Sequence, residues 1–162
     1  MKLIRLGRQK LKFEIGEEEK ELLFQVLLFY PLVPATHHRL NQDRRIPDPN
    51  GNQQLLESAL RDQQQENRAL LAKLLKQPRR FTQSEGGYYV SFSRPEVEWL
   101  LQVLNDVRVG SWLALGSPLH QLEIQKGMSK PKAQKILAMD IAGYFQMAFL
   151  QALQKYSPTM ND

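Results

Sequence analysis

Two stretches of the chain alternate between apolar and polar residues. Near the N-terminus, KLIRL and LKFEI flank residues 7–10, and RRFTQSEGGYYVSFS alternates around Gly86 and Gly87. A period of two is typical of strands with one buried face, and a glycine pair suits a tight turn. We therefore predict two short β-hairpins, and the candidate core residues of the first are Leu3, Leu11, Phe13 and Ile15.

Apolar residues at helical spacing predict four helices. The first begins with the acidic run at 17–21, where negative charge meets the positive end of the helix dipole, and it ends before Pro31, since a residue that precedes proline avoids the α region. The others are predicted at 53–77 with Asn52 as cap, at 94–115 and at 130–155. Ser93 and Glu96 have the spacing of a capping box at the start of the third helix. The predicted fold class is α+β and mainly helical, with about four helices packed together with one or two short β-hairpins.

Length and composition favour a single soluble domain spanning residues 1–162. Hydrophobic residues make up 42% of the chain, and there is no cysteine, so no disulfide or thiol chemistry is available. The most apolar run, at 22–33, is too short to span a bilayer, which needs about 20 residues. We expect a cytoplasmic protein without a membrane role. Residues 31–52, with four prolines, predict a long polar loop or arm, and we expect 156–162 to be a disordered tail.

Polar residues interrupt the third helix, WLLQVLNDVRVGSWLALG. A wheel centred on Val97 puts Arg108 inside the apolar stripe and turns Asp106 towards solvent. A buried guanidinium needs an acceptor, and Asp140 on the apolar last helix carries the opposite charge. We predict that these two residues pair, with a structural role rather than a catalytic one. The members of this predicted polar network are Asn105, Arg108, Asp140 and Gln146.

The same helix carries a family resemblance. Trp99, Leu100, Asn105–Arg108, Leu113 and Gly116, followed by Met139-Asp140-Ile141, Gln146 and Leu150, resemble an uncharacterised bacterial family classed as a domain of unknown function. That family is common in actinobacteria and often encoded beside the Clp protease adaptor. Met139 and Ile141 stand where the family has aromatic residues. The resemblance implies an association with regulated proteolysis, and it implies no activity, cofactor or catalytic residue.

The chain offers little that is typical of an enzyme. Its three histidines, His37, His38 and His120, lack the spacing of a metal site, and no phosphate-binding loop, Rossmann glycine pattern or nucleophile elbow occurs. The paired carboxylates lie at predicted helix starts, where the helix dipole accounts for them. We predict no metal, no cofactor and no catalytic residue.

The net charge of +5 leaves two functional interpretations open. The leading one is a non-enzymatic protein-interaction or regulatory module, which would contact a protein partner through the 31–52 arm and the polar middle of the second helix. The alternative is a nucleic-acid-binding regulator that uses basic clusters, although no known reader motif is present. The oligomeric state is not indicated. Candidate partner or anion contacts are Arg39, Arg44, Arg45, Lys130 and Lys132, and a further basic cluster is Lys73, Lys76, Arg79 and Arg80.

Overall fold

The protein is described by a computed structural model, which covers residues 1–7, 10–37, 48–118, 125 and 127–156. These residues form one antiparallel sheet and four α-helices, which confirms the α+β, mainly helical prediction. The strands are β1 (Lys2–Leu6), β2 (Lys10–Ile15), β3 (Phe81–Ser84) and β4 (Gly87–Ser93). The helices are α1 (Glu17–Leu27), α2 (Pro49–Leu75), α3 (Arg94–Ala114) and α4 (Lys130–Tyr156).

The two predicted hairpins join into a single sheet with the strand order β1-β2-β4-β3. The joining contact is the antiparallel pair of β2 with β4, which runs from Lys10 opposite Ser93 to Ile15 opposite Tyr88. Because strands alternate their side chains, one face of this pair carries buried apolar residues and the other carries polar ones. The buried set comprises Leu11, Phe13, Ile15, Val90 and Phe92.

Helices α1, α3 and α4 cover the apolar face of the sheet, and α3 and α4 make the most extensive contact between any two elements described. The core of this layer is aromatic: Phe149 of α4 meets Phe13 and Phe92 edge-on, with ring centroids 5.6 and 5.7 Å apart. By length and composition, Lys130–Lys155 could also cross a membrane, but one third of its most apolar window is buried inside the protein. Packing against α3 and the sheet accounts for the buried part of that apolar character, and the same helix also carries exposed large side chains, Leu137, Tyr144, Met147 and Leu150.

The second helix begins earlier than predicted. Pro49 is its first residue, and the cap is Asp48, whose carboxylate accepts a hydrogen bond from the Gly51 N–H at 3.0 Å, so the prediction of Asn52 as cap is wrong. Of the predicted 31–52 arm, residues 31–37 lead into a short 3₁₀ helix, Ala35–His37, and residues 38–47 lie outside the described part of the chain. Residues 157–162 of the predicted tail also lie outside it.

Helix α2 is attached to the rest of the fold by apolar side chains near its C-terminal end and by polar contacts midway along its length. Only Leu71 and Leu74 of its side chains are described as buried. Midway along it, Gln64 donates to the Val33 carbonyl at 2.9 Å, and Asn67 donates to the Tyr30 hydroxyl at 2.9 Å. Part of the polar stretch that we predicted to meet a partner therefore docks on the protein itself.

Candidate functional site

The predicted polar network between the last two helices does not form. Arg108 and Asp140 are both exposed, and the described residues show no ion pair between them. Asn105 is exposed as well. Only the contact of Arg108 with Gln146 is present, as a long hydrogen bond of 3.5 Å from Nη1 to Oε1. The prediction of a buried Arg108–Asp140 pair is wrong, because Asp140 lies on the side of α4 that faces away from α3 and the sheet.

Asp106, which we predicted to be solvated, has a structural role in place of Arg108. Its carboxylate accepts hydrogen bonds from the backbone N–H groups of Leu32, at 2.6 Å, and Val33, at 3.3 Å. One turn further on, Gly110 lets the same segment approach the helix, because a Cβ there would lie 2.3 Å from the Cβ of Leu32. Asp106 and Gly110 together fix the connection that follows α1.

Replacing Asp106 with alanine is expected to lower the free energy of unfolding by about 1–3 kcal/mol, since two backbone donors lose a charged acceptor. The matched control is Asp140→Ala on α4, an exposed position where the change is expected to stay within about 0.5 kcal/mol. Urea denaturation followed by circular dichroism measures both. Equal losses in the two variants would contradict the role given to Asp106.

A cleft of about 850 Å³ lies between the end of α2 and the junction of β4 with α3. It forms because α2 ends at Leu75 and a short 3₁₀ helix, Pro78–Arg80, turns the chain into β3. Proline shortly after a helix end prevents the helix from continuing. We call this site the basic cleft, because four cationic side chains line it: Lys10, Lys76, Arg79 and Arg80.

Arg80 is the structural member of the basic cleft. Its Nη2 donates to Glu96 Oε1 at 2.6 Å and to the Ser91 carbonyl at 3.2 Å, and its guanidinium lies 5.0 Å from the ring centroid of Phe92. Its side chain is only 16% exposed. These contacts hold the 3₁₀ helix against the sheet and the start of α3.

Glu96 neutralises Arg80 and also caps α3. Its Oε2 accepts from the Ser93 N–H at 2.7 Å, and the Ser93 hydroxyl accepts from the Glu96 N–H at 3.3 Å, which confirms the predicted capping box. Partial burial alone would raise the pKa of Glu96, but the hydrogen bonds from Arg80 and Ser93 outweigh it, so the pKa lies below its ordinary value of 4.5. Glu96, the only carboxylate among the described residues of the lining, is thus ionised at neutral pH and already hydrogen-bonded.

The other three cations of the cleft, Lys10, Lys76 and Arg79, are exposed and form no ion pair with any described residue. Hydroxyl groups of Thr82, Ser91 and Ser93 complete the lining. Among the described residues of the lining there is no histidine, and the single carboxylate is bound to Arg80. The arrangement of cations and hydroxyl groups is suited to holding an anion.

A second pocket, of about 440 Å³, opens directly beside the cleft and shares Gln77, Arg80 and Glu96 with it. We call it the Trp99 pocket. Trp99 is held in place by a hydrogen bond from its Nε1 to Asn67 Oδ1 at 2.8 Å. The remaining walls are mostly apolar and come from α2 and the start of α3: Leu70, Lys73, Leu74 and Pro95.

The predicted anion contacts lie elsewhere. Lys130 and Lys132 are exposed on the first turn of α4. Met139 of α4 lies beside Trp112 of α3, and further along α4 the Gln146 side chain reaches the Leu101 carbonyl. The two helices are therefore antiparallel. The first turn of α4 lies near the C-terminal end of α3, about 30 Å from the basic cleft at the N-terminal end of α3. Arg39, Arg44 and Arg45 fall outside the described residues. Within the described residues, no three histidine or carboxylate side chains gather as a metal site would require.

The sequence indicates part of the basic cleft, as the cluster from Lys73 to Arg80, but it does not indicate that Lys10 lies beside this cluster. That connection depends on the pairing of β2 with β4, which brings Lys10 opposite Ser93. Comparison of the chain with protein-family models, with curated proteins and with solved structures finds no match. The resemblance to a family of unknown function therefore stays a prediction, and the site rests on geometry.

Proposed function

We propose that this protein is a non-enzymatic binding module and that its basic cleft holds a polyanionic ligand. The observation that carries the proposal is the convergence of Lys10, Lys76 and Arg79 on one concave site, with the local carboxylate already bound to Arg80. Unpaired cations at close range repel one another, and an anion relieves that repulsion.

The geometry favours an anionic ligand over the protein partner that the sequence first suggested. Gln64 and Asn67, in the polar middle of α2, already bond to Val33 and Tyr30, so that stretch has fewer groups to offer a partner. A protein partner remains a prediction from the arm and the second helix, and the link with regulated proteolysis remains a prediction from the resemblance.

The test measures binding of inorganic polyphosphate by calorimetry at low salt. The Lys76→Ala/Arg79→Ala double variant is expected to bind about tenfold more weakly, because two cations of the cleft are lost. The matched control is the Lys130→Ala/Lys132→Ala double variant. It removes the same charge at the start of α4, far from the basic cleft, and is expected to leave the affinity for polyphosphate nearly unchanged.

Two results would contradict the proposal. Absence of binding by the unaltered protein at low salt would remove the anionic ligand altogether. Equal losses in the two double variants would mean that net charge, rather than the cleft, attracts the anion.

A further inference from the structure

The cations of the basic cleft continue onto the open face of the sheet. Lys12 follows Lys10 on the same face of β2, and Arg5 of β1 lies directly opposite Lys12. A register shift between Leu3 and Arg5 places Lys2 on this face too, opposite Glu14, whose carboxylate accepts a hydrogen bond from the Ser84 hydroxyl at 3.1 Å and offsets the charge of Lys2 at that edge. The helices pack on the opposite face. We call this surface the outer sheet face.

The extent of this positive surface favours a polymer over a small anion. Neighbouring strands are about 4.8 Å apart, and successive residues on one face of a strand are about 7 Å apart. The row from Arg5 through Lys12 and Lys10 to Arg79 therefore extends well beyond the reach of a single phosphate group. A chain of phosphates could contact the whole row.

Aromatic and apolar surface accompanies the cations. On the outer sheet face, the ammonium group of Lys12 covers one face of the Tyr89 ring at 4.0 Å from its centroid, so a base could stack there only after Lys12 moves to a phosphate. At the other end, the Trp99 pocket adjoins the basic cleft and is lined mainly by carbon. Polyphosphate alone would leave that pocket empty, whereas a nucleobase is flat and apolar on its faces and would enter it. Alternating cations and stacking surfaces are the usual means of binding single-stranded nucleic acid.

We infer that the polyanion is single-stranded nucleic acid, with its phosphates along the outer sheet face and the basic cleft and one base in the Trp99 pocket. The inference rests on the proposed function, because it requires the cleft to bind phosphate. A duplex is disfavoured, since its paired bases would have to leave the stack to reach the pocket.

The experiment measures fluorescence anisotropy with labelled oligonucleotides of equal length: single-stranded RNA, single-stranded DNA, an abasic DNA strand and a duplex. Leu70→Gln makes one wall of the Trp99 pocket polar at a residue that is already half exposed. Leu55→Gln, on the same helix but outside the pocket, is the control, and thermal melts establish that both variants fold. We expect base-bearing single strands to bind about tenfold more tightly than the abasic strand. Leu70→Gln should abolish that advantage, and Leu55→Gln should preserve it.

The RNA and DNA arms tell which sugar is preferred, and a preference for either supports the inference. Equal binding of abasic and base-bearing strands, with both weakened by Lys76→Ala/Arg79→Ala, would overturn the base pocket and leave the proposed function intact. Duplex binding as tight as that of the single strands would also overturn the inference. If neither polyphosphate nor any oligonucleotide binds, the proposed function fails first.

Discussion

Replacing Phe149 with alanine is expected to lower the free energy of unfolding by about 3–5 kcal/mol. Phe149 is fully buried and meets the rings of Phe13 and Phe92 edge-on, so one side chain joins α4 to both central strands of the sheet. Truncation removes the apolar surface that the ring buries and leaves a cavity between layers that cannot close around it. Urea denaturation followed by tryptophan fluorescence measures the loss.

Met147→Ala on the same helix is the control for that prediction. Met147 is 58% exposed, and its truncation is expected to change stability by less than about 1 kcal/mol. Comparable losses in the two variants would mean that α4 does not pack on the sheet through its Phe149 face.

Arg80→Ala is expected to have the second-largest effect, a loss of about 2–3 kcal/mol in the free energy of unfolding. The change removes the ion pair with Glu96, the hydrogen bond to the Ser91 carbonyl and the contact with the Phe92 ring. Glu96 keeps its capping bonds and part of its exposure to water, so the loss is smaller than for a fully buried pair. Thermal and urea unfolding measure it.

The control is Arg94→Ala, which breaks the exposed Arg94–Glu98 pair one helical turn apart on α3 and should lower the free energy of unfolding by no more than about 0.5 kcal/mol.

The pH dependence of the stability gives a second test of the Arg80–Glu96 pair. Because the pKa of Glu96 is lowered, its contribution is present above pH 4.5 and is lost as the pH falls through the lower, folded-state pKa. Arg80→Ala should weaken this acid-dependent loss. If the free energy of unfolding of Arg80→Ala fell with decreasing pH as steeply as that of the unaltered protein, the pairing of Arg80 with Glu96 would be contradicted.

Short sequence patterns predicted the helices and hairpins well, because the contacts that start and end these elements are made by residues close together in the chain. Ser93, Pro95 and Glu96 determine where α3 begins through bonds within one turn, and the structure confirms the predicted start. The two hairpins also follow from alternation and from Gly87, whose positive φ of 138° few other residues adopt. Their union into one sheet depends on the pairing of β2 with β4, across more than seventy residues, which no local pattern specifies.

The predicted polar network failed because a helical wheel gives an angle and not the identity of the neighbours. The buried residues of α3 run from Val97 to Ser111, and their mean direction differs from the assumed centre at Val97 by roughly 65°. This shift moves Arg108 to the rim of the buried face. It leaves Asp106 at the opposite rim, where the segment that follows α1 provides backbone donors.

Part of the candidate site could be predicted from the order of residues along the chain. Lys76, Arg79 and Arg80 are close in sequence, and proline between them predicts a turn. The local sequence could not show which of these cations are already paired with a carboxylate. The structure separates Arg80, bound to Glu96, from Lys76 and Arg79, which have no acidic partner among the described residues.

The attachment of α2 has a thermodynamic consequence for any occupant of the Trp99 pocket. That pocket has one wall on α2, at Leu70 and Leu74, and another on α3, at Pro95 and Trp99. An occupant would bridge the two helices, so its affinity and the docking of α2 must be linked reciprocally. The amide of Asn67, which joins Trp99 to Tyr30, then contributes to affinity from outside the pocket.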